Sequence, residues 1–302
     1  MSVSLYCSPT NLRLLVGSAS TKQVKIDQFV DTPLPENAML NGIITGQDAM
    51  TRFLTETNDQ YGPFRQDAVL CVESSLIRSR IITVPKVPDA QMLRFVTEEL
   101  QSSSDSEASD VFDFATLGTN FTKGGVDVLG IAAGRALLAA YIEVFSDAGF
   151  KIKRIDVGTN ALIKLTSLSP RLTEENSLLA LVDGQALFLA LFNRGRFILM
   201  KKYRLMHPLA TEESYRELGN HISTLVQFQK TQDSESDIQS VYITGVPVDS
   251  VAPLSATASY LSMPIAYLDI SERLKLAGKA LFEQNTFDAS RFLFNIGTLV
   301  GR

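Results

Sequence analysis

The chain has 302 residues, 45% of them hydrophobic and 20% charged, which is long enough for two sizeable cores because a single core stops growing near about 250–300 residues. Its 28 basic and 33 acidic side chains give a net charge of −5, the wrong sign for a general nucleic-acid or anionic-lipid partner, since both select a basic face. No apolar run approaches the roughly 18 residues that span a bilayer, and the N-terminus lacks the charged-then-apolar plan of a signal peptide, so a cytoplasmic location is expected. Cys7 and Cys71 show no metal or redox spacing, and His207 and His221 have no Cys or carboxylate cluster in sequence, so no metal site is expected.

Three strand-like runs open the chain, Val3–Cys7, Asn11–Gly17 and Gln23–Val30, with turns at Ser8-Pro9-Thr10 and at 18–22. Pro33 and Pro35 end this meander because proline brings no N–H to a ladder. A helix over Asp48–Glu56 follows, with Met50, Phe53 and Leu54 on one face. After Gly62-Pro63 come a short apolar strand, Ala68–Val72, and a half-exposed one, Ile77–Val84, on which Arg78 and Arg80 form a basic outer face. Pro88–Gln101 reads as an amphipathic helix with Asp89 at its N-cap and a stripe of Met92, Phe95, Val96 and Leu100. Ser102–Asp110 is too polar to pack and reads as a mobile connector. Strands at Val111–Thr116 and Val126–Ala132 flank Gly124-Gly125, and a helix from Arg135 to Ala148 closes at Gly149.

A strand at Lys153–Val157 and a helix at Thr159–Ser167 lead into a second meander, Leu178–Val182, Ala186–Phe192 and Arg196–Tyr203. Its last turn, Asn193-Arg194-Gly195, contains the glycine that a short hairpin needs for positive φ. Thr211 caps a long helix to Gln229 whose Leu218, Ile222, Leu225 and Val226 face inward, with Glu212 and Glu213 suiting its N-terminal dipole. A buried strand at Val241–Gly245, a helix near Val251–Leu261, a strand at Pro264–Leu268 and helices at Ser271–Phe282 and Phe287–Val300 complete the chain. Two three-strand meanders, each followed by helical sequence, predict a duplicated α/β core with a cleft between the halves.

Five stretches in order carry a family resemblance: Ser4–Leu14, Leu34–Ile44, Ser79–Pro85 with Glu98-Glu99, Ile155–Leu162 and Asn295–Arg302. Their succession over nearly the whole chain is similar to the type IV pilus assembly PilM family and, more remotely, to the cell-division FtsA family. The resemblance implies a duplicated actin-like (ribonuclease H-like) α/β fold, two domains flanking a cleft, with an inserted FtsA/PilM-type α/β subdomain. The expected divisions are residues 1–65, 151–176 and 284–302 for the first actin-like domain, 66–150 for the insertion and 177–283 for the second domain. The superfamily holds ATP and magnesium on two hairpin turns and a Gly-Gly adenosine loop. At the matching positions this chain departs. Tyr6 stands for the first Asp, Ser8 for the following Gly, and Pro9 removes an N–H; Asp183-Gly184 survive but continue as Gln185-Ala186-Leu187; the adenosine loop is Gly245-Val246-Pro247-Val248.

The resemblance therefore implies relic nucleotide-binding positions at Ser8, Thr10, Arg13, Asp183, Gly184 and Gly245, no catalytic residue, and no cofactor, with ATP and magnesium left as the alternative. Each residue also has a plain structural reading. Asp183 closes a turn before Gly, Arg13 lies on an exposed strand face, Asp156 caps a helix with Gly158-Thr159-Asn160 beside it, and Arg78 and Arg80 keep an edge soluble. The expected partner is the short N-terminal tail of a bitopic inner-membrane pilus protein resembling PilN, held in a groove at Ile43, Ile77, Arg78 and Arg80, where a basic edge strand suits an extended peptide. That role is a scaffold, peripheral to the inner membrane through its partner and in contact with other pilus or secretion proteins. The alternatives are a divergent actin-like ATPase or sugar kinase with a rearranged site, and a module resembling GspL of type II secretion, a family that normally continues into a membrane-spanning helix whereas this sequence ends at Arg302.

Overall fold

The computed structural model describes residues 1–20, 23–102, 107, 109–120, 124–232, 237–261, 263–283 and 286–301. Part of the turn expected at 18–22 and most of the connector expected over Ser102–Asp110 lie outside the described residues.

Two sheets repeat one strand order. The opening meander is β1 (Ser2–Cys7), β2 (Asn11–Ala19) and β3 (Val24–Pro33); with β6 (Asp67–Val72) and β10 (Lys151–Val157) it gives the order β3-β2-β1-β6-β10. The second meander, β11 (Asn176–Asp183), β12 (Ala186–Asn193) and β13 (Arg196–Arg204), with β14 (Ser240–Thr244) and β15 (Ile265–Tyr267), gives β13-β12-β11-β14-β15. In each, the first meander strand runs parallel to its neighbour outside the meander, β1 to β6 and β11 to β14. Ser177–Val182 of β11 is buried on both faces, which is why this strand reads as a continuous apolar run without alternation. A three-residue strand, β16 (Leu274–Leu276), pairs parallel with β3 on the first sheet.

The chain divides into two compact units, residues 1–16 with 30–161, and 17–29 with 162–302. In the first, Leu5, Leu14, Leu70 and Val72 pack with Met50 and Leu54 of α1 (Gln47–Tyr61) and with Tyr141, Val144 and Phe145 of α3 (Arg135–Asp147). Helix α1 runs five residues beyond the expected Glu56 because Thr57 and Tyr61 continue the same inward stripe until Gly62. Two short strands, β4 (Met39–Leu40) and β5 (Ile43–Ile44), form a hairpin against this core. A separate antiparallel sheet joins β7 (Arg78–Val84), β9 (Gly125–Gly134) and β8 (Asp110–Asn120) in the order β7-β9-β8. Helix α2 (Asp89–Gln101) covers it through Met92, Val96 and Leu100. The stretch expected as the insertion thus contributes its first strand, β6, to the six-stranded sheet, and its own sheet begins at Arg78.

Two expectations for α2 fail. Phe95 is 42% exposed, since the stripe is complete with residues spaced by four, and Asp89 is the first helical residue, with Pro88 at the N-cap and no side-chain cap bond.

Burial pushes the Cys7 thiol up to about 12 from its ordinary 9.0, and burial chiefly raises the Tyr141 hydroxyl as well. The unfolded chain releases these protons at lower pH than the folded chain, so their contribution is fully present below about pH 9 and is lost as pH rises toward 12. The urea midpoint is therefore expected to fall above about pH 9; a midpoint flat through about pH 11 would contradict this.

In the second unit, alternate residues of β11, β12 and β14 pack against α6 (Glu212–Gln232) and α7 (Val251–Thr257) through Leu218, Ile222, Leu225 and Leu254. Thr211 caps α6 as expected: its Oγ1 accepts from the Ser214 N–H at 3.2 Å. The short helices α4 (Gly158–Leu165) and α5 (Pro170–Glu174) precede β11. Phe188 meets Phe294 of α9 (Leu293–Leu299) edge-on at 5.2 Å. The expected helix over Ser271–Phe282 is absent. A 3-10 turn, β16 and the five-residue α8 (Gly278–Phe282) replace it, because Leu274–Leu276 takes ladder bonds from β3 and Gly278 turns at φ +55°.

Candidate functional site

Within the first unit, Ser8-Pro9-Thr10 is a turn closed on itself. The buried Ser8 Oγ accepts from the Asn11 N–H at 2.9 Å and from the Thr10 N–H at 3.3 Å. The Ser8 N–H donates to the Asn11 carbonyl at 2.8 Å, and Pro9 has no N–H. The backbone donors that a phosphate would take from this loop are already engaged. The Asp that would anchor magnesium is Tyr6, 1% exposed. Arg13 is not on an exposed face: it is 6% exposed, with Nε 3.8 Å from Asp31 Oδ2, and Asp31 also accepts from Asn11 Nδ2 at 2.7 Å. Asp31 draws the guanidinium inward, since a buried cation needs a partner. Asp156 is buried and accepts from the Val157 N–H at 2.9 Å and Asn160 Nδ2 at 2.7 Å.

Within the second unit, Asp183 pairs with Ala186 across a two-residue turn in which Gly184 has φ +60°. The Gln185 carbonyl accepts from the Leu205 N–H at 2.7 Å, and Gln185 Oε1 accepts from Arg204 at 3.3 Å, so the turn is fastened to the end of β13. Gly245, at φ +77°, is required by packing: a Cβ there would lie 1.9 Å from the Val182 carbonyl oxygen. Val246 is buried in the α6 and α7 core. Among the described residues no group of three or more His, Cys, Asp or Glu is placed to hold a metal ion. Of these loops it is the Ser8 turn whose N–H donors are already taken up internally, so as folded that turn does not fit a phosphate. A cavity of about 990 Å³ in this unit carries Arg171 and Arg273 beside Asp269, Glu272 and Asp288, a mixed lining that selects no one charge class.

The four groove positions share the first unit. Ile43 and Ile77 are half-buried against its core. Arg78 pairs with Asp110 and Arg80 with Glu99, so both cations are matched inside the small subdomain. The β4–β5 hairpin lies against Glu73–Leu76: Ser74 Oγ donates to the Asn41 carbonyl at 3.2 Å, and Gly42, φ +75°, passes so close that a Cβ would be 2.0 Å from the Glu73 carbonyl oxygen. Tyr141 Oη holds the hairpin by donating to the Gly42 carbonyl at 3.1 Å. Leu40, 63% exposed, and Leu76, 49% exposed, stand on these two touching segments. Sequence reading misses both; the signal is an apolar pair on each side of a turn, Met39-Leu40 before Asn41-Gly42 and Leu76-Ile77 after Ser74-Ser75.

The family model for the type IV pilus assembly protein PilM matches residues 6–201, more than half of the chain. Among solved structures, the chain is similar to the PilM-PilN type IV pilus biogenesis complex with a TM-score of 0.79 at 17% identity, covering 100% of this chain and 99% of that one. It is similar to the cytoplasmic domain of EpsL, an inner-membrane component of the type II secretion system of Vibrio cholerae, with a TM-score of 0.51 at 13% identity, covering 100% and 95%. A protein of actin-like ATPase fold from Bacteroides thetaiotaomicron matches with a TM-score of 0.51 at 11% identity, covering 95% and 96%. No curated protein matches in sequence. The fold is the actin-like one that the doubled strand order implies.

Proposed function

The chain belongs to the family of the type IV pilus assembly protein PilM, and we propose that it is a scaffold in which ATP binding is weak or lost. It captures the N-terminal cytoplasmic tail of an inner-membrane partner of the PilN kind, at the inner face of the membrane, and links it to other pilus or secretion assembly proteins. The observation that carries this reading is the contrast inside the first unit: the Ser8 turn consumes its own donors, while Leu40 and Leu76 stay exposed on a hairpin tied down by Tyr141. A fixed apolar surface binds a short tail well because little ordering is left to do on binding. Among the described residues no helix is long and apolar enough to cross a membrane, which fits attachment through a partner. The test is capture of the purified chain by an immobilised synthetic peptide carrying the N-terminal cytoplasmic tail of a PilN-like protein from the same organism; passage of the chain without retention contradicts the proposal.

A further inference from the structure

A second interaction surface lies on the other unit. Strand β13 is one edge of its sheet, and among the described residues no strand pairs with its outer side. It is nine residues long, whereas β15 on the opposite edge has three. Proteins keep free edges short because a long row of unpaired N–H and C=O groups invites another strand. The charge along it is of one sign. Residues 194–204 contain Arg194, Arg196, Lys201, Lys202 and Arg204 and no carboxylate, in a chain whose net charge is −5. Arg196, Lys201, Lys202 and Arg204 are exposed. Between the two cationic ends, Ile198, Leu199 and Met200 are three consecutive half-buried apolar residues, the first two packed at the margin of the core under α6 and α7. Lysines alone would explain an edge protected against aggregation; between them the edge also keeps partly exposed apolar side chains.

We infer that β13 accepts an extended acidic segment of a partner protein, added as a further strand of the sheet. Backbone bonds along the free edge would hold the segment, its apolar side chains would cover Ile198–Met200, and its carboxylates would face the flanking Lys and Arg. A second copy of this chain is the disfavoured occupant, because pairing β13 with itself would set five cations against five. This surface is independent of the tail-binding hairpin, which lies in the first unit.

The probe is a fluorescein-labelled octapeptide alternating glutamate and valine, followed by fluorescence anisotropy with the full chain. It is expected to bind, and the Lys201→Glu, Lys202→Glu double variant, with circular dichroism confirming its fold, is expected to bind about tenfold or more weakly. The same peptide N-methylated along its backbone keeps its charges but loses its donors, and each lost hydrogen bond is expected to cost about fivefold. Equal binding of the two peptides would reduce the interaction to charge attraction and overturn strand addition. Failure of the unmethylated peptide to bind, or undiminished binding to the double variant, overturns the inference as well.

Discussion

Gly245→Ala is expected to destabilise the chain by roughly 3 kcal/mol or more, read as a drop in the urea midpoint at constant slope. Two costs add. The residue sits at φ +77°, where an L side chain costs roughly 1–2 kcal/mol, and the new Cβ would lie 1.9 Å from the Val182 carbonyl oxygen, which is backbone in the central strand and cannot swing away. Relief requires β14 to part from β11, and Ile243 and Val246 on that segment belong to the core under α6 and α7. Gly134→Ala is the matched control, because its added Cβ meets nothing within 4 Å; a change within about 0.5 kcal/mol is expected. The comparison separates two explanations for a glycine at the adenosine-loop position. If Gly245 is there for backbone packing, the loss is the same with and without Mg-ATP. A Gly245→Ala chain with an unchanged midpoint would remove the packing explanation.

The second large effect concerns binding. Leu40→Glu with Leu76→Glu is expected to weaken capture of the partner tail roughly a hundredfold while leaving the urea midpoint within about 1 kcal/mol of the parent. Both side chains are already in water, at 63% and 49% exposure, so the fold loses little. A bound tail would have to desolvate two carboxylates on an apolar surface, a far larger cost than the favourable burial that the two leucines supply. The matched pair Arg78→Ala and Arg80→Ala tests the alternative of a basic groove. Their partners are Asp110 and Glu99 of the same subdomain; Arg80→Ala, which opens an exposed pair, is expected to shift tail affinity by less than about threefold, and so is Arg78→Ala once circular dichroism shows that the fold withstands the stranded buried Asp110. A large effect from the arginines with none from the leucines would move the groove back to the basic strand edge.

The fold is legible in the sequence because its strongest signals are local. Two apolar meanders with glycine or hydroxyl turns announce the doubled sheet, and the four-residue spacing of Met92, Val96 and Leu100 announces α2. The segment Ser271–Phe282 misleads because its ladder partner, Val24–Ile26, lies some 250 residues away in sequence, and local propensity carries no word of it. Pattern alone puts Arg13 in solvent because its companion Asp31 is on a different strand. The departure from the family's pattern can be recognised at Tyr6 and Pro9, but not how the turn is satisfied: that Ser8 Oγ takes the N–H groups of Thr10 and Asn11 is a matter of geometry. The exposed pair Leu40 and Leu76 is hidden because the two residues are 36 positions apart and their segments meet through tertiary contacts, the Ser74 bond to the Asn41 carbonyl and the close approach of Gly42 to Glu73.

The most direct measurement is isothermal titration calorimetry of one preparation, first with Mg-ATP and then with the partner tail. The scaffold account predicts no heat from Mg-ATP up to millimolar concentration and a saturable tail isotherm near micromolar affinity, about −8 kcal/mol. Micromolar Mg-ATP binding would contradict it, because it would require the Ser8 turn to open and release the donors it now holds.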